Sequence, residues 1–346
     1  MLTFDPGALS DLIKHTFGAP PKDIVGMPGG ASTRRYFRVL REGEPTSLVA
    51  MFVPDARPEE VTTKGTEATR WPFLEVHALL RDRNIRVPKI YGEACDQGLL
   101  LIEDLGDVTL GAFIKESPER TAEIYRTAVT DLAAAQKSLS ELPASSVVSS
   151  RAFDETLLRW ELDHFREWGL DALEKTLSPA DLAKWNDVAD RLAKRIAGWP
   201  RGFVHRDYQS RNLMVKTRAD GSAELVWIDF QDALLGPRVY DLVALLNDSY
   251  VSFDRAFLEA RLDEYTAAHG LSKSEREAVG REVDVLTVQR KLKDAGRFIF
   301  IDRVKKNPSF LPYFDPSIRK VKAALERLSD EEDMRFIADM LKLTFG

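Results

Sequence analysis

The chain has 346 residues, of which 44% are hydrophobic and 30% are charged, as in a folded globular protein large enough for two lobes. A net charge of −6, without a long basic run, excludes a general nucleic-acid binder. The single cysteine, Cys95, excludes an internal disulfide framework and a cysteine-based zinc site. No run approaches the ~20 apolar residues of a membrane span, and the start lacks the pattern of a secretory signal. We therefore expect a cytoplasmic protein without nucleic-acid or membrane partners.

The N-terminal third is predicted to form a five-stranded antiparallel sheet with one main helix, which begins at Pro72. Alternating and apolar runs indicate the strands, at residues 24–27, 34–39, 47–53, 87–91 and 98–102. The loop at 28–33, PGGAST, joins the first two strands. Its small residues would let main-chain amides approach phosphate oxygens, and Ser32 or Thr33 could add a hydroxyl. The loop does not match G-x-G-x-x-G, so an ordinary hairpin loop remains an equal alternative.

The third predicted strand lacks a residue that protein kinases carry. A lysine that pairs the nucleotide phosphates ends the corresponding kinase strand, but this chain has Met51. The nearest cations are Arg34, Arg35 and Arg38. Either one of them replaces the lysine, although arginines on strands are more often exposed partners of neighbouring side chains, or the nucleotide is bound differently.

The sequence changes at Glu103 to Leu105 from strand to helical periodicity. A kinase-type hinge, whose main chain contacts adenine, would lie here; the alternative is a plain strand-to-helix turn. Helices are predicted beyond it, at 109–115, 118–140, 153–170, 178–197, 239–247, 253–268, 273–304 and 317–343. The prediction is therefore an α+β protein with two lobes, a nucleotide-binding lobe at 1–104 and a larger, mostly helical catalytic and substrate-binding lobe at 105–346.

The stretch from Phe203 to Asp232 carries the residues that indicate a chemistry. Two β-type runs, 213–215 and 225–228, flank an Asp-Gly turn, which predicts a hairpin. The hairpin would hold Asp207, Asn212 and Asp229 close together. The loop before it has the kinase pattern H-R-D-x-x-x-x-N, carried by His205, Arg206, Asp207 and Asn212. An Ile-Asp-Phe run after it matches the kinase metal motif, with Gln231 in place of glycine.

Each of these three polar side chains has a predicted role in phosphoryl transfer. Asn212 and Asp229 offer the oxygen ligands that Mg²⁺ prefers, and Asp207 can accept the proton of an attacking hydroxyl. The alternative is an unrelated hairpin whose polar residues cap turns. Two motifs in this order and at this spacing favour a phosphotransferase site.

Two features after the hairpin complete the analysis. Asp241 begins a predicted helix and can accept main-chain amides of the catalytic loop, which would be a structural role. Arg290, Lys293 and Arg297 share one face of the helix at 273–304. We favour a solvated surface for this face; the alternative is a wall for an anionic substrate.

On these residues, the chain resembles the aminoglycoside phosphotransferase superfamily, small-molecule kinases with a protein-kinase-like fold. More narrowly, it is similar to the bacterial anomeric kinases of N-acetylmuramate and N-acetylglucosamine in cell-wall (peptidoglycan) recycling. The segments that carry the resemblance are 31–38, 205–214, 229–233 with 236–237 and 240–241, and 289–293. Those kinases also lack the strand lysine. The resemblance implies an ATP-dependent, magnesium-dependent enzyme with Asp207 as base and Asn212 and Asp229 as metal ligands.

The predicted function is phosphorylation of the anomeric C1 hydroxyl of an amino sugar. The nucleotide is expected to meet Ser32, Thr33 and Arg34 at its phosphates and Glu103 and Leu105 at its base. The alternatives are an aminoglycoside- or choline-type phosphotransferase and a nucleotide-binding pseudokinase that acts as a scaffold. A monomer or a weak dimer is the expected assembly.

Overall fold

A computed structural model describes residues 2–28, 33–54 and 71–346, which divide into two compact units. The first consists of Met1–Phe113 and Asn212–Asp232, and the second of Ile114–Arg211 and Ala233–Gly346. The first unit thus takes in the hairpin that follows the predicted catalytic loop. The predicted assignment of nucleotide binding to 1–104 and of substrate binding to 105–346 stays a prediction.

The first unit contains the predicted five-stranded sheet, with every neighbouring pair antiparallel. Its order is β1-β2-β3-β5-β4, where the strands are β1 (Asp23–Gly26), β2 (Arg35–Leu40), β3 (Leu48–Phe52), β4 (Ile90–Ala94) and β5 (Leu99–Glu103). The sheet prediction is confirmed, although β4 lies three residues beyond its predicted start. Two helices, α1 (Pro6–Phe17) and α2 (Pro72–Asp82), complete this part of the unit.

Both faces of this sheet are covered because successive side chains of a strand point to opposite sides. On one face, α1 buries Leu9 and Ile13 in a cluster that includes Ala50. On the other face, Leu74 of α2 lies in a cluster with Met51. The central strand is therefore buried on both sides, and each of its five residues is buried.

Four further strands follow in the chain, β6 (Arg201–Val204), β7 (Leu213–Thr217), β8 (Ala223–Trp227) and β9 (Leu234–Pro237). β7 and β8 form the predicted antiparallel hairpin, and Gly221 takes the left-handed conformation that its turn needs, at a φ of +81°. β6 pairs with β9 in a separate two-stranded sheet of the second unit. That pairing is absent from the sequence prediction, which treats residues 235–237 only as a break before a helix.

The remaining helices are α3 (Leu110–Glu116), α4 (Thr121–Ser138), α5 (Glu155–His164), α6 (Pro179–Ala197), α7 (Tyr240–Leu246), α8 (Arg255–His269), α9 (Lys273–Lys305), α10 (Phe314–Arg327) and α11 (Glu332–Phe345). The predicted helix at 317–343 is wrong as a single element, because α10 ends at Arg327 and α11 begins at Glu332. Within the described residues, no helix has the length and apolarity to cross a membrane.

The long helix α9 organises the second unit. A capping box of Ser272 and Glu275 begins it, and it packs against α10 and a π-helical segment, Phe165–Leu170. Gly296 makes the second contact possible, since a Cβ there would lie 2.9 Å from the carbonyl oxygen of His164. This close approach therefore requires glycine at position 296 of α9.

Candidate active site

Asn212 and Asp229 lie together at the open end of the β7–β8 hairpin, in the first unit. Leu213 pairs with Trp227 as the last rung of the ladder, and the next bond joins the Ile228 N–H to the Asn212 main-chain carbonyl at 3.0 Å. Asp229 follows with a φ of +63°, a left-handed conformation that is uncommon outside glycine. The chain therefore turns out of the strand at the residue that was predicted to bind metal.

The carboxylate of Asp229 is oriented by two side chains of its own unit. Its Oδ1 accepts a hydrogen bond from Gln231 Nε2 at 2.9 Å and one from Arg34 Nη1 at 3.3 Å. The side chain remains 43% exposed, so the carboxylate is accessible from solvent. Gln231, which stands where protein kinases have glycine, thus helps to hold the aspartate.

The donor set at this hairpin fits Mg²⁺. Asp229 offers carboxylate oxygens and Asn212 an amide oxygen on neighbouring positions of one hairpin mouth. No group of three or more His, Cys, Asp or Glu side chains is arranged for a metal ion in the described part of the chain. Mg²⁺ does not need such a cage, because it usually binds one or two carboxylates together with substrate phosphates and waters.

Met51 occupies the position at which protein kinases carry the strand lysine, and its surroundings are apolar. Met51 is 1% exposed and packs with Val49 and Leu100. Across the ladder it pairs with Tyr36 of β2. A lysine ammonium could not be accommodated there without a buried charge, so a cation for the phosphates must come from another position.

Of the three candidate arginines, only Arg34 reaches Asp229 among the contacts of the described residues. Arg35 lies over the rings of Phe4 and Phe37, and Arg38 forms ion pairs with acidic residues after β5. Burial lowers the pKa of Arg34, but Tyr36, Asp229 and Asp232 more than compensate, and the net result is a raised pKa. Arg34 therefore carries a permanent positive charge beside the predicted metal ligand.

The other residues predicted to contact the nucleotide, Ser32, Thr33, Glu103 and Leu105, belong to the first unit. Ser32 lies outside the described residues, and Thr33 is exposed at the end of the described part of the loop. The Glu103 N–H donates to the Lys89 carbonyl at 2.8 Å, while Leu105 is half-buried. The N–H of Glu103 is therefore already used within the sheet.

The Glu103 side chain has a structural role that the sequence analysis missed. Its carboxylate accepts hydrogen bonds from Arg86 at 2.7 Å and from Lys216 of β7 at 2.9 Å. These partners, together with the amide of Lys89, hold its pKa below the usual range even though burial alone would raise it. The main-chain carbonyl of Arg86 also accepts a hydrogen bond from the Trp227 N–H, at 2.9 Å. This network fixes the hairpin, and with it Asp229, against the sheet.

The loop with Asp207 belongs to the second unit and is anchored by two buried carboxylates. Asp241 accepts the N–H groups of His205 at 2.7 Å and Arg206 at 3.0 Å, which confirms its predicted role. Asp248 accepts the Ser210 N–H at 2.9 Å. Asp241 lies in the first turn of α7, whereas Asp248 follows the end of that helix. No sequence signal pointed to Asp248.

Asp207 itself is 37% exposed and faces a buried cation. Arg290 Nη2 of α9 lies 3.7 Å from Asp207 Oδ1. The interpretation of the α9 basic face as a solvated surface is wrong, since the side chains of Arg290 and Lys293 are only 2% and 17% exposed. Arg211, at the end of the loop, stacks on the ring of Tyr250 at 3.4 Å.

Comparison with known proteins identifies the family. Residues 23–278 match the family described as the phosphotransferase enzyme family. An N-acetylmuramate/N-acetylglucosamine kinase of Pseudomonas aeruginosa is 33% identical over 89% of this chain and 85% of its own length. The chain belongs to the phosphotransferase enzyme family. The kinase of the same name from Neisseria meningitidis is 31% identical over 86% of this chain and 85% of its own.

Solved structures of an aminoglycoside phosphotransferase and of an ethanolamine kinase share the fold. An aminoglycoside phosphotransferase in complex with gentamicin aligns with a TM-score of 0.57 at 15% identity, covering 96% of this chain and 99% of its own. An ethanolamine kinase of Plasmodium vivax aligns with a TM-score of 0.55 at 12% identity, covering 88% and 82%. The predicted protein-kinase-like fold and the predicted family are confirmed, and this chain is an enzyme that transfers a phosphoryl group.

Proposed function

We propose that this phosphotransferase uses ATP and Mg²⁺ to phosphorylate the anomeric C1 hydroxyl of an amino sugar of the N-acetylmuramate or N-acetylglucosamine type. The observation that carries the proposal is the 33% identity, over 89% of the chain, with a kinase named for those two sugars. The aminoglycoside and ethanolamine kinases resemble it at 12–15% identity, which supports a common fold and no common substrate.

In this proposal, Asn212 and Asp229 are the protein ligands of the metal. When bound, Mg²⁺ would neutralise the negative charge that develops on the phosphate oxygens. Gln231 and Arg34 orient the Asp229 carboxylate through their bonds to Oδ1. The Asp229 side chain is 43% exposed, so its carboxylate remains accessible to a ligand.

Arg34 takes the place of the missing strand lysine in the proposed site. Its side chain is 19% exposed, its charge is fixed by its neighbours, and it contacts the proposed metal-binding carboxylate. A guanidinium can bind two phosphate oxygens at once, which suits it to this task. The 28–33 loop with Ser32 and Thr33 would cover the phosphates, and the Glu103 carbonyl and Leu105 would meet the base.

Asp207 is the proposed base. It orients the acceptor hydroxyl and takes its proton as the new phosphorus–oxygen bond forms, because phosphoryl transfer depends mainly on positioning and charge neutralisation. An anomeric hydroxyl is more acidic than an ordinary alcohol, so a carboxylate is a sufficient base for it. The reaction would take place in the cytoplasm, where ATP is available.

Phosphorus NMR of the product tests this function. The protein is incubated with Mg-ATP and, in parallel, with N-acetylmuramate, N-acetylglucosamine, glucosamine and choline. We expect a sugar 1-phosphate signal that Asp229→Ala removes. Asp220→Ala, which alters the far end of the same hairpin, is the matched control and should keep the signal.

Each other outcome has a definite meaning. Phosphorylation at another hydroxyl would retain the kinase and refute the anomeric reaction. Phosphorylation of choline alone would refute the amino sugar as the acceptor substrate. Tight Mg-ATP binding without any product would favour the scaffold alternative, and the family membership together with Asp207, Asn212 and Asp229 argues against that result.

A further inference from the structure

Arg290 is buried directly beside the proposed base. Its side chain is 2% exposed, and its guanidinium lies over the ring of Tyr240, 4.4 Å from the centroid. Its Nη2 stands 3.7 Å from Asp207 Oδ1. All three residues belong to the second unit. A cation from the middle of α9 thus reaches the carboxylate on which the proposed chemistry depends.

The hydrogen bonds of Arg290 do not explain its burial. Its Nε and Nη1 are buried and meet no hydrogen-bond acceptor within the described ranges of the chain. The 3.7 Å approach to Asp207 is also too long for a hydrogen bond. Buried charges in proteins are normally paired and fully hydrogen-bonded, because their desolvation is costly. Hydrogen bonding therefore does not account for the burial of Arg290.

The next residue on α9 provides a contrast within the same environment. Lys291 is equally buried, but its Nζ donates to Asp294 at 2.7 Å and to Ser249 at 3.1 Å. A lysine with two such partners is an ordinary structural ion pair. The difference between these neighbours separates a cation that holds the fold together from one that serves another purpose.

The charge of Arg290 is permanent. Burial by itself would lower its pKa, but Tyr240, Asp294, Asp207 and Glu161 surround it and raise the pKa above the usual value. The guanidinium is also held in place by the Tyr240 ring, which in turn contacts Phe153 at a centroid distance of 4.2 Å. A fixed cation on a rigid support can constrain the orientation of a neighbouring carboxylate.

We propose that Arg290 is the positioning residue of Asp207: it holds the carboxylate in the orientation that receives the acceptor hydroxyl. This inference rests on the proposed role of Asp207 as base. A contact at 3.7 Å acts through charge and not through a hydrogen bond. It therefore restrains the side chain without using an oxygen lone pair that the acceptor proton needs.

The test is a comparison of Arg290→Met, Arg290→Lys and Lys291→Met in the full chain. Arg290→Met keeps an unbranched side chain over Tyr240 and removes the charge. We expect its kcat to fall about 10- to 100-fold, as for a misplaced catalytic group, with an unchanged KM for ATP. Its melting temperature is measured in parallel, so that the rate is compared per folded molecule. Arg290→Lys should recover part of kcat.

Lys291→Met is the control and should keep its kcat. Lys291→Met leaves Asp294 buried without its closest cation, so the melting temperature should fall while kcat per folded molecule changes little. The inference is overturned if Arg290→Met keeps kcat within about twofold, a change too small for a lost catalytic orientation. It is also overturned if Arg290→Met loses activity only in step with its melting temperature, or if Arg290→Lys is no more active than Arg290→Met.

The same experiment separates this inference from the choice of substrate. If the wild type phosphorylates no amino sugar, the proposed substrate fails. The Arg290 variants are then compared on ATP hydrolysis, in which water is the acceptor and Asp207→Asn defines the background. If Arg290→Met hydrolyses ATP at the wild-type rate, only the positioning role of Arg290 is refuted. Turnover that does not depend on Asp207 would overturn both proposals.

Discussion

Arg206 holds a left-handed backbone conformation, at a φ of +80°, while its N–H donates to the buried carboxylate of Asp241 at 3.0 Å. Such a conformation in a residue with a side chain costs on the order of 1 kcal/mol and persists only where the surroundings enforce it. Here the same carboxylate also accepts the N–H of His205. The shape of the loop one residue before Asp207 is therefore imposed from α7.

Asp241→Asn should damage this loop. An amide offers one acceptor oxygen for two N–H groups, so one buried donor loses its partner, at a cost of about 1–3 kcal/mol in the free energy of unfolding. Because Arg206 then relaxes, we expect kcat to fall about 10- to 100-fold. Urea denaturation and steady-state kinetics measure the two effects.

Asp254→Ala is the matched control for that substitution. Asp254 also accepts a main-chain N–H, that of Phe257 at 2.8 Å, but it does so as the N-cap of α8. Its loss should cost about 1 kcal/mol of stability and leave kcat of the folded enzyme unchanged. Equal losses of kcat in both variants would contradict the proposed role of Asp241.

The hairpin and its two polar residues could be predicted from the sequence because the signals are local. An Asp-Gly turn between apolar runs fixes the register of β7 and β8, and the register brings Asn212 and Asp229 to one end. The pairing of β6 with β9 was missed because residues 205–233 separate the strands. Gly236-Pro237 resembles a helix-breaking turn when its partner strand is unknown.

The burial of Arg290 could not be predicted from the sequence of α9. Charged residues at helical spacing usually mark a solvated face. The carboxylate that Arg290 meets, that of Asp207, lies 83 positions earlier in the chain. The same limit applies to the missing lysine. Alternation along the predicted strand 34–39 puts Arg34 and Arg38 on one side, but only tertiary contacts distinguish the one that meets Asp229.

Arg34→Met tests the proposed replacement of the strand lysine. If the guanidinium binds phosphate oxygens, its loss removes charge-assisted hydrogen bonds of about 1.5–3 kcal/mol. We therefore expect kcat/KM for ATP to fall about 10- to 100-fold, with little effect on the KM for the acceptor. Arg35→Met is the control, because Arg35 lies over Phe4 and Phe37. An unchanged kcat/KM for Arg34→Met would refute the replacement.

Removal of the metal should abolish turnover reversibly. Because the proposed site combines one carboxylate and one amide, we expect EDTA to stop the reaction and Mg²⁺ to restore it. Asn212→Ala should raise the Mg²⁺ concentration for half-maximal activity about 10-fold or more. Asn186→Ala, which removes a surface amide bonded to Arg159 at 2.9 Å, should have no such effect. Full activity in EDTA would exclude the metal site.

Lys320 of α10 predicts a pH dependence of stability. Its Nζ donates to the main-chain carbonyls of Asp248, the residue that holds Ser210, and Val251. Burial, with a smaller contribution from Lys291, lowers the pKa of Lys320 to about 7, while Asp248 and Asp294 act in the opposite direction. In the unfolded chain the pKa of a lysine is about 10.4. Between these values the unfolded state binds more protons than the folded state.

The free energy of unfolding should therefore rise with pH from about 7 to about 10, by up to about 1.4 kcal/mol per pH unit from this group. Lys320→Met removes the titrating group, so its unfolding free energy should increase less steeply than that of the wild type across this window. Lys322→Met is the control, because Lys322 lies on the same helix with an exposed contact to Gly346. Urea denaturation at successive pH values measures the slopes. A slope for Lys320→Met equal to that of the wild type and of Lys322→Met would mean that Lys320 keeps its proton throughout.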